Sequence, residues 1–261
     1  MNIDESTLVD ANIQQKSHAQ QQDHAIIILA SGLSSRLGKA KQLLCKDGEP
    51  LISHMLTLAL STHPQEIILV IPKEKPLIAN AIEPLATQHP MIHTVINPTA
   101  ETGMAQSLRL GIDALTDVNN RLLNRVLIIG IDQVLLDKQH LIALLAGKQA
   151  VVASSYSGDN DWQRSDKLPR DKMVLDRILL DKTPLAESSK KNIIGVPLMI
   201  NYELLKQWQS ELVGDKGLRH LIRGLSPNQI QVIINHQLNY DIDTPEQLAY
   251  AQQQGWLDKS Y

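Results

Sequence analysis

Short, uninterrupted apolar runs alternate with amphipathic segments along most of the chain, and this alternation constrains the fold more than any other feature. Continuous apolar runs are typical of strands buried on both faces, whereas apolar residues at helical spacing predict helices that cover those faces. The predicted strands are 25–30, 66–71, 92–96, 125–131, 150–154, 196–201 and 229–235, and the predicted helices are 53–61, 75–87, 103–115, 137–146, 202–210, 216–224 and one from Pro245. The pattern indicates an α/β fold with a mostly parallel sheet between helices.

Two segments fall outside this pattern. Residues 1–23 are polar and rich in glutamine, so we predict a disordered tail followed by a single domain over 24–261. A charged stretch at about 159–194 interrupts the alternation without a clear strand of its own. Because long connections in compact domains are usually functional, we expect this insertion to be a lid, a flap or a subunit contact.

Composition excludes several classes of function. The formal net charge is −3, which does not suggest a nucleic-acid surface. A single cysteine, Cys45, allows neither an intramolecular disulfide nor a thiolate metal cluster. No apolar run is long enough to span a membrane, and the N-terminal segment lacks the pattern of a signal peptide. We therefore expect a cytoplasmic protein that binds neither membrane nor nucleic acid.

The first apolar strand runs into the loop LASGLSSRLGKAKQLL, residues 29–44. The loop combines glycines that permit close backbone approach with small hydroxyls and two cations: Ser31, Gly32, Ser34, Ser35, Arg36, Gly38 and Lys41. Backbone N–H groups in such a loop can bind anions, and the cations would offset the charge of a triphosphate. An ordinary glycine-bearing turn with solvated basic residues is the alternative reading.

A carboxylate ends another predicted strand, RVLIIGI. Asp132 follows it directly, while Asp137 is the better candidate to cap the next helix. Since ligands bind at the carboxyl ends of parallel strands, Asp132 lies where chemistry is expected. Mg²⁺ is typically held by one or two carboxylates together with substrate phosphates and water. Asp132 is therefore a candidate magnesium ligand.

Five motifs resemble those of the MobA-like NTP transferases, and in particular the molybdenum cofactor cytidylyltransferases. They are Leu29-Ala-Ser-Gly-x-Ser-x-Arg-Leu-Gly-x-x-Lys41 with Gly48-Glu-Pro-Leu-Ile52, Asn97-Pro-x-x-x-x-Gly103-Met-x-x-Ser107-Leu-x-x-Gly-Ile112, Gly130-Ile-Asp-Gln133, Gly214-Asp-Lys-Gly-Leu-Arg219 and Asp241-Ile-Asp-Thr-Pro-Glu-Gln-Leu248. The resemblance covers about residues 25–157 and 195–255. It implies a Rossmann-like, three-layer nucleotidyltransferase fold.

The resemblance also implies roles for individual residues. The implied nucleotide-binding residues are Leu29, Ala30, Ser31, Gly32, Ser34, Ser35, Arg36, Lys41, Asn97, Gly103, Ser107 and Gln133. Arg36, Lys41 and Asp132 would be catalytic, and Asp132 and Asp243 would hold Mg²⁺, with Asp241 in a supporting position. Gly195, Pro197 and Asp215 would lie on the acceptor side.

The implied reaction moves CMP from CTP to a phosphorylated acceptor, molybdopterin, and releases pyrophosphate. Val134 and Val196 replace a proline and a histidine of the family pattern, and Ala30-Ser31-Gly32 matches neither the cytidylyl nor the guanylyl form. Use of GTP, or of a sugar or alcohol phosphate as acceptor, therefore stays open. A chaperone that delivers the molybdenum cofactor to an apo-molybdoenzyme without turnover is the alternative of another class.

Overall fold

The computed structural model describes residues 24–73, 76–115, 123–157, 192–215 and 217–259, so the predicted tail and most of the predicted insertion lie outside the described residues. The strands are β1 His24–Leu29, β2 Cys45–Lys46, β3 Glu49–Pro50, β4 Ile67–Pro72, β5 Ile92–Asn97, β6 Arg125–Gly130, β7 Val151–Ser157, β8 Asn192–Asn201 and β9 Ile230–Ile234. The helices are α1 Leu51–Leu60, α2 Pro76–Gln88, α3 Met104–Ala114, α4 Lys138–Ala146, α5 Tyr202–Trp208, α6 Arg219–Ile222 and α7 Pro245–Gln253.

Seven strands form one sheet in the order β5-β4-β1-β6-β8-β7-β9. The pairs β4–β5, β1–β4, β1–β6 and β7–β9 are parallel, with Leu29 paired to Val70 on one side and to Gly130 on the other. β8 is the exception, since it runs antiparallel to both β6 and β7. The predicted mostly parallel α/β sheet is confirmed.

Helices cover both faces of this sheet. Successive β1 residues point to opposite faces, so Ile26 and Ile28 belong to one core and Ala25 and Ile27 to the other. The first core packs against α1, α2, α4 and α7, and the second against α3, α5 and α6. This burial on two sides explains why the strands are continuously apolar, and it confirms the predicted three layers. Across the described ranges, no helix is both long and apolar enough to cross a membrane.

Two elements differ from the sequence-based expectation. β8 begins at Asn192, so residues 192–194 of the predicted insertion are part of the sheet and pair with the end of β7. The predicted helix over 216–224 is reduced to the single turn of α6. Gly217, with φ of +50°, precedes this turn, which explains why a continuous helix does not start earlier.

Candidate active site

Four charged residues meet at the carboxyl edge of the parallel strands. Lys41 Nζ donates a hydrogen bond of 2.7 Å to Asp243 Oδ1 and one of 3.3 Å to Asp132 Oδ2. Arg36 Nη2 donates at 2.8 Å to the other oxygen of Asp243. The loop after β1, the end of β6 and the approach to α7 supply these side chains. The structure thus brings together the predicted catalytic residues and both predicted metal ligands.

The charges in this cluster stabilise one another. Burial alone would lower the pKa of Lys41, but Asp132 and Asp243 outweigh it and raise that pKa above its ordinary value. Burial alone would raise the pKa of Asp243, but the hydrogen bonds and charges of Lys41 and Arg36 hold it below its usual value. At neutral pH the cluster therefore contains a cationic lysine beside the ionised carboxylate of Asp243.

Asp241 adds a third carboxylate to the same place. Its backbone forms a β-bridge with Gln133, which fixes it beside the end of β6. Burial, together with the negative charges of Asp132 and Asp243, raises the pKa of Asp241 to about 6. Asp241 is thus protonated more readily than Asp243.

Gln42 shapes the loop after β1. Its side chain is fully buried, and its Nε2 donates to Ala30 O at 2.7 Å and to Gly32 O at 2.9 Å. Ser34, with φ of 55°, accepts a hydrogen bond from the backbone N–H of Lys41. A Cβ added at Gly32 would meet no atom within 4 Å, so the space beside its backbone is open to a ligand. The loop is thereby held in place with open space beside Gly32.

Three of the predicted nucleotide-binding side chains are hydrogen-bonded to one another. The hydroxyls of Ser31 and Ser107 share a hydrogen bond, and Asn97 Nδ2 donates to Ser107 Oγ at 3.0 Å. All three side chains are buried. This chain of polar contacts ties the loop after β1 to the end of β5 and to the first turn of α3.

The other predicted nucleotide-binding residues differ in exposure. Ala30 is fully buried, and its carbonyl oxygen accepts a hydrogen bond from Gln42 Nε2. Its methyl side chain is therefore not available to a nucleotide. Leu29 is the partly buried last residue of β1, and Ser35 is exposed. Gly103, with φ of 107°, lies so close to Asp215 that an added Cβ would be 2.1 Å from Asp215 Oδ1. The expected acceptor-side Asp215 therefore borders the start of α3, next to a residue expected on the nucleotide side.

Gln133 connects the carboxylates to β8. Its buried side chain donates from Nε2 to Val196 O at 3.0 Å, while its Oε1 has no hydrogen-bond partner among the described residues. Gly195 and Pro197 flank this contact, and the Pro197 carbonyl accepts a hydrogen bond from Ser154. The predicted acceptor-side residues of β8 thus lie beside the end of β6.

The donor set fits a magnesium ion. Oxygens of Asp132 and Asp243 converge on one cationic nitrogen, so a position between them accommodates positive charge. In the described part of the chain no group of three or more histidine, cysteine, aspartate or glutamate side chains could hold a metal. A magnesium ion held by Asp132 and Asp243 would take its remaining ligands from phosphate and water.

Two residues near this site, Gln42 and Tyr156, escaped the sequence-based prediction. A third, Arg219, belongs to one of the motifs described above but was given no role of its own. Tyr156, at the end of β7, is buried and hydrogen-bonds the side chain of Arg219. Burial raises the pKa of Tyr156, and the nearby charges of Asp132 and Asp241 also act to raise it. The feature of the sequence that could have pointed to Tyr156 is its position as a polar aromatic residue near the carboxyl end of a buried strand.

The chain was compared with families of known proteins. The model of the MobA-like NTP transferase domain matches residues 26–231, which include most of the motifs described above. Comparison with curated proteins finds no match.

Several solved structures share the fold. Rv0371c from Mycobacterium tuberculosis H37Rv is 16% identical, with a TM-score of 0.61 and coverage of 89% of this chain and 98% of its own. The 4-diphosphocytidyl-2C-methyl-D-erythritol synthase from Anaerococcus prevotii DSM 20548 is 18% identical, with a TM-score of 0.62 over 90% and 98%. The inositol-1-phosphate CTP transferase from T. maritima is 15% identical, with a TM-score of 0.57 over 90% and 96%.

Proposed function

Because the chain belongs to the MobA-like NTP transferase family, we propose that it is a magnesium-dependent nucleotidyltransferase that moves CMP from CTP to molybdopterin. The observation that carries this proposal is the position of Lys41 between Asp132 and Asp243, beside an open, glycine-bearing loop. Nucleotidyl transfer requires positioning and charge neutralisation rather than a protein nucleophile. This cluster supplies both.

The chain's own residues would act as follows. The backbone around Gly32 binds the triphosphate, and Lys41 and Arg36 turn from the carboxylates towards the phosphates to offset their charge. Asp132 and Asp243 would hold the magnesium ion, which would polarise the α-phosphate when bound. Asp241 adds a third carboxylate beside these two. An oxygen of the acceptor phosphate bonds to the α-phosphorus while the bond to the β-phosphate breaks and pyrophosphate leaves.

Three observations support cytidine as the base and a phosphorylated acceptor. The motif from Asn97 to Ile112 and the pair Asp132-Gln133 resemble the cytidylyl branch. Two proteins of the same fold are named for cytidylyl chemistry, one a synthase of a diphosphocytidyl product and one an inositol-1-phosphate CTP transferase. The buried contact of Gln133 with Val196 joins the end of β6 to β8, the strand that carries the proposed acceptor-side residues Gly195 and Pro197.

The deciding experiment measures pyrophosphate release from CTP, GTP, ATP and UTP with molybdopterin, each with Mg²⁺ or with EDTA. We expect Mg²⁺-dependent turnover that is fastest with CTP and about 10²–10³-fold slower in Asp132→Asn. Faster turnover with GTP would overturn the choice of base. Turnover with inositol 1-phosphate but not with molybdopterin would move the assignment to a polyol phosphate, which the named inositol-1-phosphate CTP transferase favours.

A further inference from the structure

The two halves of the sheet carry different groups to the site. The loop with Lys41 follows β1 and Asn97 ends β5, both on one side of β6 in the strand order. Tyr156 lies near the end of β7 and Gly195 lies in β8, both on the other side of β6. Asp132 follows β6 and therefore separates the two halves. A donor nucleotide bound by the first half leaves the second half for the acceptor.

The second half contains a guanidinium that faces this region. Arg219 hydrogen-bonds the buried Tyr156, whose phenol lies within electrostatic reach of Asp132 and Asp241. A Cβ built on Gly195 would lie 3.4 Å from Arg219 Nε, so the guanidinium stem packs against the β8 backbone where a side chain would crowd it. Arg219 is thus held on the acceptor side by one hydrogen bond and one close packing contact.

We infer that Arg219, positioned by Tyr156 and Gly195, binds the phosphate of the acceptor across the carboxylates from Lys41 and Arg36. The inference rests on the proposed function and names the residue that recognises its acceptor class. An acceptor phosphate approaching Asp132, Asp241 and Asp243 would be repelled unless a cation accompanies it. Lys41 and Arg36 are already paired with Asp132 and Asp243, whereas Arg219 has a phenol as partner.

The chemistry of arginine suits this role. A guanidinium has five N–H donors in a planar fork, so a bond to one phenol leaves donors for two oxygens of a phosphate. Arg219 is exposed, so a ligand can reach it, and Tyr156 is buried, so the anchor is fixed. During transfer the phosphate bound by Arg219 supplies the oxygen that bonds to the α-phosphorus of the donor, and pyrophosphate departs from the Lys41 side.

The test measures the KM for the acceptor and the KM for CTP separately in wild type, Arg219→Ala, Arg219→Lys and Tyr156→Phe. Arg109→Ala is the control, because Arg109 is an exposed arginine of α3. Loss of a charged hydrogen bond to substrate should raise the acceptor KM of Arg219→Ala about 10-fold to 100-fold, with the KM for CTP little changed. Arg219→Lys should recover part of this loss, and Tyr156→Phe should show a smaller increase. An unchanged acceptor KM in Arg219→Ala would overturn the inference, as would an equal rise in Arg109→Ala.

A second readout works without turnover, so it separates this inference from the proposed function. Inorganic phosphate is titrated into wild type, Arg219→Ala and the control Arg109→Ala, and binding is followed by ³¹P NMR. Phosphate binding that is weakened in Arg219→Ala and kept in Arg109→Ala supports the inference even if molybdopterin is not converted. Binding that keeps its wild-type affinity in Arg219→Ala contradicts it, and thermal unfolding of each variant verifies that the fold is intact.

Discussion

Lys41 and Asp243 are 202 residues apart in the chain and are joined by a hydrogen bond of 2.7 Å between Nζ and Oδ1. The contact closes the site because it ties the loop after β1 to the segment before α7. It also places a protein cation where a metal ion would lie between Asp132 and Asp243. The first three predictions test this arrangement.

Replacing Lys41 with methionine should abolish most of the activity. The substitution keeps the length of the side chain but removes the charge that offsets the triphosphate, and loss of one such group typically lowers kcat by about 10²–10³. Pyrophosphate release measures the rate, and near-UV circular dichroism checks the fold. Lys39→Met, an exposed lysine of the same loop, is the matched control and should retain most of the wild-type rate.

Replacing Asp132 with asparagine should weaken the dependence on magnesium. The amide keeps the shape of the carboxylate but not its charge, so we expect a higher Mg²⁺ concentration for half-maximal activity and a kcat reduced about 10²–10³-fold. Asp47→Asn is the control, because Asp47 has φ of 54° in an exposed turn and asparagine tolerates this conformation. A variant with the wild-type Mg²⁺ titration would exclude Asp132 as a ligand.

Asp241 should make the metal-free protein less stable as pH rises. The pKa of Asp241 is about 6 in the folded protein, against 3.8 for an unperturbed aspartate such as that of the unfolded chain. Between these two pH values the folded state holds a proton that the unfolded chain has lost. The stability that this proton provides is therefore lost as pH rises from about 4 to about 6.

Asp241→Asn should remove this loss. Allowing for screening of a partly exposed group, we expect the variant to be more stable than wild type by about 1–2 kcal/mol at pH 7 and equally stable near pH 4. Urea unfolding in EDTA at both pH values measures the difference. The same difference at both pH values would show that the effect does not come from titration of Asp241.

Gln42 should affect both stability and nucleotide binding. Gln42→Leu leaves Ala30 O and Gly32 O without their buried donor, and each unsatisfied carbonyl costs about 1–3 kcal/mol. The loop would then relax, and the KM for CTP should rise. Gln252→Leu is the control, because it also removes a hydrogen bond from a side-chain amide to a backbone carbonyl, that of Asp258. It should lower stability without changing the KM for CTP.

The donor half of the site was accessible from sequence because its signals are local. A buried apolar strand, a glycine-bearing loop and a carboxylate at a strand end each occupy a few consecutive residues, and parallel strands bring such ends to one edge. The strand from Ala25 and the carboxylate of Asp132 therefore lie close to where the sequence predicts them. The resemblance to the NTP transferase family added Asp243.

The acceptor half was less accessible because its contacts join distant parts of the chain. The hydrogen bond between Tyr156 and Arg219 and the packing of Arg219 on Gly195 have no local spacing that reveals them. Pairing with the end of β7 makes a strand of Asn192–Ile194, although the charged residues before it favour a loop. From sequence alone, Gln42 is expected at the surface because it is a polar residue next to Lys41. The tertiary fold nevertheless buries it completely.

The last residue of β7 and the first of β8, Ser157 and Asn192, are directly paired across the sheet at the active-site edge. The segment that joins them therefore leaves and re-enters the fold at one point, whatever its length. The entropy of closing such a loop grows only with the logarithm of its length, about 0.6 kcal/mol for each doubling. Evolution can thus lengthen, shorten or exchange this segment at little cost in stability, while the parallel strands from β5 to β6 keep their register.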